Sequence, residues 1–164
     1  MRKVAFLLVI TIISISCSNT KIKEPEQIGK QVFEILKKMN TDNKQLYINN
    51  FITIEEIREL AKKEKVITDE STRNEMSSIR KEEWLEEIEW SYNAIKKEAI
   101  EYGISWQNIE YLDFVYEIDT SDGMKICEGE LFIKYNNNIY KFETISIFDG
   151  NEYKLIEIDG VYKR

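Results

Sequence analysis

The sequence predicts an α+β fold: N-terminal helices, one long helix, and a C-terminal four-stranded antiparallel β-meander onto which that helix packs. Three observations predict it. Apolar residues recur three and four apart as far as Tyr102. From Ile109 the period changes to two. Turn-forming clusters at 120–123, 136–138 and 149–151 then cut the remainder into four runs. Helices followed by hairpins segregate into a helical layer on an antiparallel sheet.

Each element has its own justification. Ile28, Val32, Ile35, Leu36 and Met39 keep helical spacing, and Pro25 precedes them where its missing amide does no harm. Asn40-Thr41-Asp42-Asn43 ends that helix, and a short second one runs from Lys44 to Ile48. Thr53-Ile54-Glu55-Glu56 is a capping box, opening a helix with Ile57, Leu60 and Ala61 on one side. Over 66–80, Asp69 or Ser71 caps a further helix holding Met76 and Ile79. The strongest helix runs from Lys81 to Tyr102, with a stripe of Trp84, Ile88, Tyr92, Ile95, Ala99 and Tyr102. Glu82, Glu83, Glu86 and Glu87 crowd its positive end, and Gly103 closes it.

In the first strand Leu112, Phe114, Tyr116 and Ile118 alternate with Asp113, Val115, Glu117 and Asp119. The second puts Cys127, Leu131, Ile133 and Tyr135 on one face, and the third matches it with Tyr140 and Phe142. The fourth is read from Glu152 to Asp159. The opposite face also holds Phe132, Ile145 and Ile147, too apolar for a wet face. Either the sheet curls around a second small core, or this face is partly covered by the N-terminal helices, by a ligand or by another subunit.

The N-terminus is read differently. Met1-Arg2-Lys3 carries two positive charges, Val4 to Ile15 is almost entirely apolar, and Ser16-Cys17 closes the run. A membrane-spanning helix needs about 20 apolar residues, so this run is a signal peptide over 1–16. Residues 17–25 then form a cysteine and its polar tether, and 26–164 a single domain of a size that holds a sizeable core. Without Arg2 and Lys3, 21 basic residues face 30 acidic ones, a net charge of −9. That balance suits a basic protein partner and disfavours nucleic acid. The chain has no histidine, which excludes Ser-His-Asp and Cys-His catalysis and His-ligated zinc. Cys127 reads as a small buried hydrophobe. No cofactor and no metal are expected; the acidic run 119–123 lacks the calcium-loop spacing and reads as a hairpin turn.

Two further sets of residues invite function. Glu128 and Glu130 share a strand face, with Glu143 on the next strand; such carboxylates serve acid–base chemistry or form a solvent face. Trp90, off the main helical stripe, and Trp106, before the first strand, line a pocket, anchor an interface or simply pack.

Ser14-Ile15-Ser16-Cys17 resembles the lipobox of bacterial lipoproteins, with serine where leucine is usual three residues before the cysteine. The resemblance implies a diacylglyceryl group on Cys17 and anchorage in a lipid bilayer, since two acyl chains hold stably where one does not. The alternative is a plain secretory signal, whose small residues Ser14 and Ser16 also supply and in which Cys17 is incidental. Ser18, by the sorting rule of enterobacterial lipoproteins, favours the outer membrane in a Gram-negative host. Residues 103–118 and the hairpin 122–142 resemble a group of small uncharacterised bacterial envelope lipoproteins that share the long helix, a tryptophan before the first strand and the meander. The architecture is also similar to the nuclear-transport-factor-2-like and cystatin-like cone folds, which host enzymes and binding proteins alike. Three functions are therefore weighed. One is a non-enzymatic envelope binding domain with no catalytic residues, and another an immunity-type inhibitor of a basic toxin. The last is a cone-fold hydrolase or isomerase using Glu128, Glu130 or Glu143.

Overall fold

The computed structural model describes residues 21–41, 43–120 and 122–164. Cys17, the lipobox and the signal segment lie outside the described residues. Helix α1 spans Glu26–Lys37 and runs into a 3-10 turn at Lys38–Asn40. Helices α2 (Lys44–Ile48), α3 (Ile54–Ala61), α4 (Glu70–Ser78) and α5 (Lys81–Glu101) follow. The strands are β1 (Glu110–Asp119), β2 (Ile126–Tyr135), β3 (Asn138–Phe148) and β4 (Tyr153–Lys163). They form one antiparallel sheet in sequence order, the expected α+β meander.

Local signals act as the sequence implies. Thr53 Oγ1 accepts from the Glu56 amide while the Glu56 carboxylate reaches back to the Thr53 amide, completing the capping box of α3. Asp69 caps α4 by accepting from Thr72 N at 2.8 Å. On α5, Ile88, Tyr92, Ile95 and Ala99 are buried and Trp84 is half-buried. Tyr102 falls one residue past the helix and is exposed, its ring 5.5 Å from that of Tyr140.

The core lies between the inner sheet face and two helices, α1 over β1 and β2 and α5 along β4. Leu131, Ile133, Tyr140, Phe142 and Ile158 are almost fully buried there. Cys127 is buried in the same layer, and burial pushes its thiol up to about 11, so it packs as a hydrophobe. Ile22 is also seated on this core, its carbonyl accepting from Tyr153 N at 2.7 Å. The segment expected to be tether is thus docked from Ile22 onward.

The strands depart from simple alternation at bulges. One between Tyr111 and Asp113 takes Leu112 off the core face and turns Tyr111 toward it, edge-on to Phe33 at 5.6 Å. Others interrupt β3–β4 pairing. Gly160 sits at φ +60, which only glycine adopts readily, and Val161 N donates to Glu98 Oε2 at 2.7 Å. The strand continues past this kink, so β4 runs to Lys163 instead of ending at Asp159.

The outer face divides into three regions. At one end α3, α4 and the connections beside them cover it. Ile147 is 1 % exposed there, among Ile52, Ile54, Ile57, Leu60 and Ile67 in a second small core. At the other end Phe132 is buried beneath the Arg164 guanidinium, 5.0 Å from its ring centre. Between them lies an uncovered stretch with Ile145 half-buried in its floor. The three apolar residues singled out on this face therefore do not enclose a common cavity.

Candidate functional site: an acidic cleft on the outer sheet face

Side chains alternate across a strand, so residues paired between strands share a face. The register places Glu117 of β1 opposite Glu128 of β2, and Glu130 of β2 opposite Glu143 of β3. Glu143 in turn faces Asp159 of β4, and Glu157 faces Ile145. All six carboxylates line one cleft of about 480 Å³, floored by Val115 and Ile145.

Like charges directly opposite each other in a sheet are destabilising. One base offsets part of the repulsion: Lys141 Nζ donates to Glu130 Oε1 at 2.7 Å and to Glu143 Oε1 at 2.6 Å. These pairs push the Lys141 ammonium up to about 12, and it lies 5.3 Å from the Tyr162 ring. Glu117, Glu128, Glu157 and Asp159 have no hydrogen bond or ion pair among the described residues. Burial raises the Glu157 carboxyl above its ordinary range, with further upward pushes from Asp159, Glu87 and Glu143.

The predicted trio is therefore brought together, in company the sequence did not show. Glu130 and Glu143 share one ammonium, and Glu128 stands apart between Glu117 and Ile145. Glu117, Glu157 and Asp159 of the cleft, and the Lys141 that pairs into it, are not among the residues the sequence singles out. Period-two alternation on β1, β3 and β4 offers a signal for them, but the β4 bulges hide which of its residues face outward. Among the described residues no group of His, Cys, Asp or Glu has the arrangement to hold a metal ion. A larger hollow of about 640 Å³ opens beside α5, lined by Lys44, Lys96 and Lys97. It is a shallow surface depression, whereas the acidic cleft has a floor and convergent polar groups.

The tryptophans separate. Trp106 is buried with its ring 6.2 Å from Phe142, a packing residue. Trp90 is 62 % exposed on α5. No protein-family model, no curated protein and no solved structure matches this chain.

Proposed function

We propose that the domain is a non-enzymatic binding module of the bacterial envelope, held at a lipid bilayer through acylated Cys17, whose outer sheet face receives a cationic protein. The observation that carries this reading is the set of four carboxylates without partners among the described residues, three of them directly opposite another carboxylate. Such a row costs stability while empty. A cationic ligand turns the repulsion into attraction, and the same field speeds its encounter. An immunity-type inhibitor of a basic toxin is a narrower form of the same function. The anchor fits the fold's start: five chain steps separate Cys17 from the docked Ile22, a reach of about 18 Å at full extension. No helix among the described residues is long and apolar enough to cross a membrane.

The test is calorimetric titration of the full chain with a lysine-rich polypeptide at low salt. Glu128→Gln, Glu157→Gln and Asp159→Asn together should weaken binding at least tenfold and flatten its salt dependence. A control with Glu34, Glu64 and Glu75 all changed to Gln has the same net charge and should bind nearly as wild type. Equal losses in the two variants would mean that net charge alone is read and that the cleft is no site.

A further inference from the structure

Trp90 is a large aromatic residue left in solvent, and its neighbours say what suits it. It borders a notch of about 140 Å³ between α5 and β4, walled by Trp84, Ile88 and Ile156 and flanked by Glu87 and Glu157. Among the described residues no cation lies over the Trp90 ring and no other ring packs on it. Glu87 is likewise without a hydrogen bond or ion pair there. Glu157 belongs to this notch and to the acidic cleft alike, so the two join across β4. Glu87 is close enough to raise the Glu157 carboxyl.

We infer that this notch is the anchor point for an arginine side chain of the cationic partner, its guanidinium stacked on Trp90 between Glu87 and Glu157. The inference rests on the reading of the acidic face as a binding surface and names its specificity element. Arginine fits better than lysine. Its planar, weakly hydrated head both stacks on an indole and pairs with carboxylates, while an ammonium is a hydrated point charge. The notch admits one side-chain head and no folded element. A second copy of this acidic chain would bring further carboxylates to Glu87 and Glu157, which argues against self-association here. Exposed tryptophan and arginine are also the residue types that dominate interface energetics.

The experiment titrates hexa-arginine and hexa-lysine into the full chain at low salt, reading tryptophan emission and calorimetric heat. Wild type should prefer hexa-arginine and change its emission on binding. Trp90→Ala should weaken hexa-arginine binding about 3- to 30-fold, the span of a cation–π contact from exposed to desolvated, and remove the preference. Trp90→Phe should fall between the two, and neither change should move the unfolding midpoint much, since the ring is mostly in solvent. If Trp90→Ala binds hexa-arginine like wild type, or wild type binds both peptides equally, the anchor is overturned while the acidic face stands. If wild type binds neither peptide, the acidic-face reading falls and takes the anchor with it. Concentration-dependent dimerisation abolished by Trp90→Ala would assign the notch to a second copy instead.

Discussion

Gly29→Ala should destabilise the domain by about 1–3 kcal/mol, the usual cost of overpacking. In an ordinary helix interior the same exchange stabilises by about 1 kcal/mol. The sign reverses because α1 lies hard against β1. A Cβ at position 29 would stand 2.4 Å from Phe114 Cγ and 2.5 Å from Phe114 Cβ. Rotating the ring relieves only part of this, because Phe114 Cβ is fixed to the strand backbone. The ring has little room on its other side, where a Cβ at Gly129 would meet Phe114 Cζ at 2.3 Å. Phe114 is thus wedged between a helix glycine and a strand glycine, and the closeness of α1 to the sheet depends on both. Urea denaturation measures the effect; a midpoint raised by Gly29→Ala would mean that α1 stands farther from β1.

Ser91→Ala should cost about 1–3 kcal/mol for a different reason, the stranding of buried polar groups. Ser91 on α5 donates to the Ile158 carbonyl of β4, so its oxygen is left to accept from the Tyr47 hydroxyl of α2 at 2.8 Å. All three residues are buried, and burial holds the Tyr47 phenol far above its ordinary range. The chain ties α2, α5 and β4 through one serine. Alanine leaves both the phenol and the carbonyl without a partner. Tyr47→Phe removes one bond and strands nothing, because Ser91 keeps Ile158, so it should cost less. Adding Tyr47→Phe to Ser91→Ala should recover part of the loss, a coupling that a double-mutant cycle measures. Simple additivity would mean that the hydroxyls do not act together.

How far the sequence discloses this molecule depends on how local each signal is. The α5 stripe, the Thr53–Glu56 capping box and the three strand turns are contained within a few residues, and each is visible before folding. Bulges are not local in that sense. A bulge exists only relative to a partner strand, so nothing within β1 marks Leu112 as the residue turned away from the core. Gly160 reads as an end to β4, whereas it is the kink that lets the strand continue under Glu98. The cover over Ile147 comes from residues more than 60 positions earlier in sequence, whose own amphipathicity names no target face. The acidic cleft is legible in part. Glu128 and Glu130 share a face by period alone, but only the register brings Glu117 and Asp159 beside them.

On the proposed function the outer carboxylates serve a ligand, a role that weakens the fold that bears them. Unfolding of the Glu128→Gln, Glu157→Gln, Asp159→Asn variant beside wild type tests it most directly. Each of the three residues lacks a partner among the described residues, and both Lys141 ion pairs survive the change. At pH 7 and low salt the variant should be the more stable by about 1 kcal/mol, the scale of relieved cross-strand repulsion. The gain should shrink as salt is added. It should also shrink as pH falls. The Glu157 carboxyl is raised in the folded state, so protonation favours the native protein, and its repulsion is present only as pH rises through that raised value. Below the ordinary glutamate range the two curves should converge. A variant less stable than wild type at neutral pH would overturn this reading, because the carboxylates would then be part of what holds the sheet together.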